Sequence, residues 1–162
     1  EMNQRAMESF PDREGRLTIS IDSRLDQVFL VGYAVRGICS QLGVEDDHAG
    51  HLELAVVEGV NNAIKHAYGL QKGHAVEIVV VVNGEEIRFD ICDDGDALDF
   101  QHRICLEYDP HDKDNLPERG MGLHIMEAVV DEINYCRREG HNCLTLRYRR
   151  IRGPARGDVD QR

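Results

Sequence analysis

The sequence has no tryptophan, few aromatic residues and no long hydrophobic run. Aromatic residues make up 6% and hydrophobic residues 41% of its 162 residues, a composition typical of a soluble globular protein. No apolar stretch approaches the roughly 20 residues that a membrane-spanning helix needs, and the N-terminus lacks a signal-like apolar stretch. The length allows one substantial core. We therefore expect a single cytoplasmic domain with no membrane partner.

Cysteine pairs at metal-binding spacing are also missing. The five cysteines form an odd set without a CxxC pair, which argues against both a disulfide framework and a zinc ribbon. Cys136 and Cys143 face each other only if the register of a predicted hairpin allows it, and we expect buried free thiols. A reducing cytoplasm is the simple interpretation.

Basic residues are outnumbered, with 19 Lys and Arg against 30 Asp and Glu, for a net charge of -11. Such a chain repels polyanions, which argues against direct binding of nucleic acid. ATP is not excluded by this charge, because a small pocket can present Mg²⁺, backbone N–H groups and one or two basic side chains.

Hydrophobic periodicity predicts one domain over residues 16–150, with a flexible lead-in at 1–15 and a flexible tail at 151–162. Strands are predicted at 16–21, 75–82, 86–92, 132–138 and 142–150, and helices at 25–42, 46–68 and 120–130. Asp22 and Ser23 offer N-cap chemistry for the first helix. Residues 93–119 lack periodicity, which predicts a long functional loop such as a lid.

The first candidate constellation lies in the second predicted helix and comprises Glu58, Asn61, Asn62 and His66. Positions 58, 62 and 66 are four apart, so they project from one helical face beside the apolar stripe. Glu58 can accept a proton, and the amide oxygen of Asn62 can bind Mg²⁺. The alternative is a solvated helix stripe. Two adjacent asparagines in mid-helix weigh against it, because Asn is a mediocre helix former.

The second constellation is Asp93-Asp94-Gly95, directly after a predicted strand. A carboxylate at a strand end can accept a hydrogen bond from an exocyclic amine such as that of adenine. Glycine lets the backbone approach a flat ring closely. Taken alone, the same residues are also typical of a plain turn.

The third constellation runs from Arg119 through Gly120, Met121 and Gly122 to Leu123, where the loop meets the third helix. Glycines at a helix start allow N–H groups to point at phosphate oxygens, and the positive helix end favours the negative charge. Arg119 can add a cationic contact. The alternative is a flexible entry into the helix.

Taken in order, ExxxN, DxG at a strand end and RGxGL at a helix start resemble the N box and the two glycine boxes of GHKL-type ATPases. Within that superfamily, the stretches VVEGVNNAIKHAYG, DDGDALDF, ERGMGLHIMEAVVDEINY and NCLTLRYR resemble the anti-sigma-factor serine-protein kinases. The resemblance covers about residues 16–150.

The resemblance implies an α/β sandwich, with a mixed, mostly antiparallel sheet covered on one face by helices. It implies that Glu58 is the general base, Asn62 the Mg²⁺ ligand and Asp93, beside Gly95, the adenine-binding residue. The remaining residues expected to contact ATP are His66, Arg119, Gly120, Met121, Gly122 and Leu123.

The implied reaction transfers the γ-phosphoryl group of ATP to a Ser or Thr of an anti-sigma-factor antagonist. The implied partners are that antagonist, a sigma factor and a second copy of the chain in a homodimer. Two alternatives stay open at this point: a nucleotide-sensing module that binds partners without phosphorylating them, and the catalytic half of a histidine kinase.

Overall fold

The computed structural model describes residues 14–98 and 121–149. The strands are β1 (Gly15–Asp22), β2 (Ala75–Val82), β3 (Glu86–Asp93), β4 (Glu132–Arg138) and β5 (His141–Arg149), and the helices are α1 (Val28–Gln41), α2 (Asp46–Asn62) and α3 (Met121–Val129). A 3-10 turn at Leu25–Gln27 precedes α1, and a π-helical turn at Ala63–Ala67 continues α2. Every predicted strand and helix is present. The predicted tail and most of the predicted lead-in and loop lie outside the described residues. Gly15, at the end of the predicted lead-in, is already part of β1.

The strands form one five-stranded sheet in the order β1-β2-β3-β5-β4. All pairings among the described strands are antiparallel. Tight hairpins account for two of them, β2 with β3 and β4 with β5. The parallel component of the expected mixed sheet is therefore absent from this part of the chain. In the turn between β2 and β3, the Asn83 side chain accepts hydrogen bonds from the N–H groups of Glu85 and Glu86, both at 2.9 Å.

The core lies between one face of the sheet, called here the inner face, and the helices. Alternate residues of β3 are buried on that face, as expected for a strand with one covered side. The largest fully buried side chains are Phe89, Leu52, Ile64, Ile78, Ile87, Ile91, Met126 and Leu146. Among the described helices, none is long and apolar enough to span a membrane.

The predicted N-cap at Asp22 and Ser23 is wrong. The N-cap position of the 3-10 turn falls on Arg24, which makes no side-chain cap bond. Asp22 and Ser23 instead bind the segment before β2: the Gly73 N–H donates to Asp22 Oδ1 at 2.8 Å, and Ser23 Oγ donates to the Gln71 carbonyl at 2.6 Å. The side chains that the local sequence predicts to cap the helix thus bind backbone groups far away in the chain instead.

Tyr68 joins three parts of the fold through one hydroxyl group. Its side chain is buried, and its OH donates to the Ala75 carbonyl at 2.7 Å and accepts from the Asp94 N–H at 2.8 Å. Burial raises the pKa of Tyr68, so the hydroxyl keeps its proton at neutral pH. The residue therefore connects the end of the π-helical turn to the start of β2 and to the turn after β3.

We expect Tyr68→Phe to lower the free energy of unfolding by about 1–3 kcal/mol, because two partly buried backbone groups lose their partner. Urea unfolding is the measurement. Tyr33→Phe is the matched control, since Tyr33 is 71% exposed, and its change should stay within about 0.5 kcal/mol. Equal effects of the two substitutions would contradict the role given to the Tyr68 hydroxyl.

Candidate functional site

Asp93 ends β3 and points into the inner face of the sheet, where it is only 6% exposed. Its Oδ1 accepts hydrogen bonds from Asn142 Nδ2 at 2.7 Å and from the Gly95 N–H at 2.9 Å. Burial raises the pKa of Asp93, and these two hydrogen bonds oppose the rise. Both bonds end on Oδ1, so neither occupies Oδ2.

Asn142 is the residue of this site that sequence reasoning missed. It is fully buried at the start of β5, directly opposite Asp93. Besides binding Asp93, its Nδ2 lies 3.1 Å from the carbonyl oxygens of both Gly95 and Asp96, and its Oδ1 accepts from Arg137 at 2.7 Å. The available signal was the alternation of β5, which puts Asn142 on the same side as Leu144 and Leu146, where an apolar residue is expected.

Gly95 is seated directly against the end of the second helix. A Cβ atom on Gly95 would lie 2.4 Å from the Ala67 carbonyl oxygen, so no other residue fits without a shift of the backbone. The next residue, Asp96, donates its N–H to the same carbonyl at 2.8 Å. This contact fixes the turn after β3 against the helix that carries Glu58 and Asn62.

Glu58 and Asn62 lie one turn apart on α2, and both are half-buried. Their neighbour Gly59 is buried, and a Cβ there would lie 2.5 Å from Ile91 Cδ1. Glu58 and Asn62 therefore stand at the border of the buried stripe, as expected. His66 falls within the π-helical turn and is exposed. The π-helical turn is wider than an α-helical turn, so it shifts the direction of the His66 side chain relative to those of Glu58 and Asn62.

The glycine-rich segment is described only in part. Met121, Gly122 and Leu123 form the first turn of α3, which agrees with the predicted helix start. Arg119 and Gly120 lie outside the described residues, so their predicted contacts stay predictions.

The hairpin of β4 and β5 holds the segment that leaves β3. Asp94 pairs with His141, and Arg137 donates to the Gly95 carbonyl at 2.8 Å. Farther along, the Leu98 N–H donates to the Tyr135 hydroxyl at 2.9 Å. The turn is thus bound on one side by the hairpin and on the other by the end of the π-helical turn that continues α2.

The fold is an α/β sandwich. Its candidate site combines the buried carboxylate of Asp93 and the glycine turn after it with a helix that bears Glu58 and Asn62. The chain belongs to the histidine kinase-like ATPase domain family, whose model matches residues 21–148. This membership confirms the resemblance to the GHKL-type ATPases.

Curated relatives include several proteins named serine-protein kinase RsbW. The protein from Bacillus subtilis (strain 168) is 29% identical over 147 residues, which cover 89% of this chain and 90% of that protein. The Bacillus licheniformis protein is 32% identical over 111 residues, or 67% of this chain and 69% of that protein. The Staphylococcus aureus (strain MRSA252) protein is 27% identical over 141 residues, or 84% of this chain and 88% of that protein.

One solved structure supports the fold. The crystal structure of the RsbU and RsbW domains of a Mycobacterium tuberculosis protein matches with a TM-score of 0.60 at 20% identity, over 83% of this chain and 32% of that chain. At this identity the likeness concerns the fold alone, and it confirms the predicted α/β sandwich.

We expect Gly95→Ala to lower the free energy of unfolding by about 3 kcal/mol, the upper part of the range for overpacking. The methyl group meets backbone atoms of Ala67 that cannot turn away as a side chain can. Gly37→Ala in α1 is the matched control, since its Cβ would meet nothing within 4 Å. That change should stabilise by about 0.5–1 kcal/mol, because alanine favours helix. A neutral Gly95→Ala in urea unfolding would contradict the close contact.

The raised pKa of Asp93 predicts how stability depends on pH. An acid whose pKa is higher in the folded state stabilises the fold while it is neutral, and this contribution is lost as pH rises through the folded-state pKa. Asp93→Asn keeps an acceptor oxygen but cannot ionise. The variant should therefore gain stability relative to the wild type as pH rises from about 3, below the ordinary pKa of Asp, to 7.

The measurement is urea unfolding of both proteins across that pH range. Asp96→Asn, at an exposed position of the same turn, is the control and should show no comparable gain. A gain for Asp93→Asn that is absent or reversed would show that its hydrogen bonds outweigh its burial.

Proposed function

We propose that this chain is an ATP-dependent serine/threonine protein kinase that acts as an anti-sigma factor. It transfers the γ-phosphoryl group of ATP to a Ser or Thr of an antagonist protein. The observation that carries the proposal is the buried carboxylate of Asp93, whose following turn packs against the end of the helical segment that bears Glu58 and Asn62. Membership of the ATPase domain family and the relatives named serine-protein kinases support it.

The turn after β3 fits an adenine base. Asn142 and the Gly95 N–H hold the Asp93 carboxylate through Oδ1, which leaves Oδ2 to accept a hydrogen bond from the exocyclic amine. Accepting that bond favours the ionised carboxylate, so bound ATP should oppose the effect of burial on the pKa of Asp93. The side-chain position of Gly95 is taken by the Ala67 carbonyl, so the glycine lets the turn beside Asp93 lie directly against the segment that follows α2.

The phosphate groups fit the start of α3. Backbone N–H groups in the first turn of a helix have no partner within the helix, and the helix dipole favours negative charge there. Gly122 lies in that turn, and Arg119 and Gly120 directly precede it. The amide oxygen of Asn62 is a suitable ligand for Mg²⁺, which when bound neutralises phosphate charge.

Glu58 is the proposed general base. It is half-buried and one turn before Asn62, so the two side chains face the same region. In phosphoryl transfer the protein contributes mainly positioning and charge stabilisation. Glu58 accepts the proton of the attacking Ser or Thr hydroxyl, and Asn62 would hold a bound Mg²⁺ through its amide oxygen. His66 adds a polar group beyond Asn62 on the same segment.

The proposed partners follow from the family resemblance: the antagonist that receives the phosphoryl group, a sigma factor, and a second copy of the chain. Partner switching then requires that phosphorylation of the antagonist weakens its binding. A phosphate adds negative charge, and this chain carries a net charge of -11, so repulsion favours release of the phosphorylated product.

The test combines two measurements on the same samples. Mg-ATP affinity is measured by calorimetry, and transfer of labelled phosphate to a candidate antagonist is then followed. Asp93→Asn should weaken ATP binding about 10–100-fold, because a hydrogen bond to a charged acceptor is lost. Glu58→Gln should leave affinity within about threefold but slow transfer about 10²–10⁴-fold, the usual contribution of a general base.

Glu53→Gln is the matched control for Glu58→Gln, because Glu53 lies on the same helix and pairs with Arg36 at 3.4 Å. It should retain both affinity and transfer. Retained transfer in Glu58→Gln would remove Glu58 from the catalytic role. Wild-type binding of ATP without transfer would favour the partner-binding module, and absence of binding would overturn the proposal.

A further inference from the structure

Three cysteines form one row across the outer face of the sheet, the face opposite the helices. Cys143 of β5 lies directly opposite Cys92 of β3 on one side and Cys136 of β4 on the other. Cys92 and Cys143 are half-buried and Cys136 is exposed, and all three thiols are free. The expectation of buried free thiols is thus wrong for Cys136, and the register does bring Cys136 and Cys143 face to face.

The hairpin decides which pair is closer. Its turn has only two residues, Glu139 and Gly140, both with positive φ, and the flanking pair is Arg138 and His141. In such a hairpin the flanking residues form a hydrogen-bonded pair, and pairs alternate along the ladder. Cys136 and Cys143, two positions farther on, are therefore again a hydrogen-bonded pair.

The backbone groups of Cys143 consequently point to β4 and not to β3. Other odd-numbered residues of β5 agree: the Arg147 carbonyl accepts from Asp131 N–H at 2.8 Å, and the Arg149 N–H donates to Asp131 Oδ2 at 2.6 Å. Cys92 and Cys143 are therefore a non-hydrogen-bonded pair. Such pairs have Cα atoms about 4.5 Å apart, with the side chains closer together than in the other kind of pair.

This spacing suits a disulfide bond, which forms across Cα distances of about 4.4–6.8 Å. The two thiols already interact: a hydrogen bond from Cys92 lowers the pKa of Cys143, and the same bond raises the pKa of Cys92. Cys143 is therefore the better nucleophile, because the thiolate is the reactive form. Within the described ranges, no group of three or more His, Cys, Asp or Glu is arranged to hold a metal ion.

We propose that Cys92 and Cys143 are a redox modification site that hydrogen peroxide converts to a reversible disulfide. The Cys143 thiolate attacks a peroxide oxygen, the O–O bond breaks, and the departing hydroxide takes a proton to become water. The Cys92 sulfur then attacks the Cys143 sulfenic acid, an S–S bond replaces the S–O bond, and a second water leaves with the Cys92 proton. Two thiols are oxidised while one hydrogen peroxide is reduced to two waters.

The site adjoins the residues of the nucleotide turn. Cys92 precedes Asp93 and Cys143 follows Asn142, and Asp93 and Asn142 are themselves directly opposite each other and hydrogen-bonded. A covalent bond one residue away alters the separation and twist of the two strands at this point. We therefore expect the disulfide to change ATP affinity, a consequence that rests on the proposed function.

The first test treats the full chain with hydrogen peroxide, blocks remaining thiols and maps peptides by mass spectrometry. The wild type should form a Cys92–Cys143 link, with loss of the mass of two hydrogen atoms, and dithiothreitol should reverse it. Cys136→Ser should form the same link and Cys92→Ser should not. A Cys136–Cys143 link in the wild type would overturn the proposal, as would oxidation of Cys143 to higher acids without any link.

The second test measures Mg-ATP affinity of the reduced and oxidised wild type, with Cys92→Ser treated identically as the control. A change in the wild type that is absent from Cys92→Ser supports coupling to the nucleotide turn. Equal affinities in a sample whose disulfide is proven would reject that coupling. Failure of the reduced wild type to bind ATP would count against the proposed function, whereas the peptide map judges the disulfide independently.

Discussion

The carboxylate of Asp93 is buried beneath the helices, and the hydrogen bonds that it accepts from Asn142 and the Gly95 N–H join β3 to β5 and to the turn after β3. A buried charge is unfavourable unless hydrogen bonds compensate it. Compensation here requires β5 to lie in one register against β3, so that Asn142 stands opposite Asp93. A slip of one residue would send Asn142 to the outer face and leave the carboxylate without its partner.

The same turn joins the sheet to the second helix. Because Gly95 has no side chain, the turn approaches the Ala67 carbonyl closely enough for Asp96 to donate to it. Tyr68, the next residue of that segment, donates to β2 and accepts from Asp94. The helical segment that carries Glu58 and Asn62 is therefore bound at its end to the turn that directly follows Asp93, the residue proposed to bind adenine. The binding and catalytic parts of the site depend on one small set of contacts.

The second helix departs from regular α-helical geometry directly after Asn62, one of its proposed functional residues. After Asn62 the chain widens into a π-helical turn, in which the Tyr68 N–H donates to the Ala63 carbonyl at 3.0 Å. Such turns carry an extra residue and are frequent at functional sites. Here the π-helical turn ends at Ala67, whose carbonyl accepts from the Asp96 N–H in the turn after β3, and it leaves His66 exposed. The prediction that residues 58, 62 and 66 share one helical face assumes a regular α-helix, so it does not include this change.

By itself the sequence determined the strands and helices, the antiparallel hairpins, and the positions of Glu58, Asn62, Asp93 and Gly95 on their elements, because periodicity and turn chemistry act over short distances. Only the tertiary structure placed Asn142 beside Asp93 and Cys143 opposite Cys92, because the pairing of β3 with β5 joins residues far apart in the chain. The roles of Asp22 and Ser23 also came only from the tertiary structure, because their side chains bind distant backbone groups and do not cap the helix. Local chemistry fixed the elements, and register between distant strands completed the candidate site.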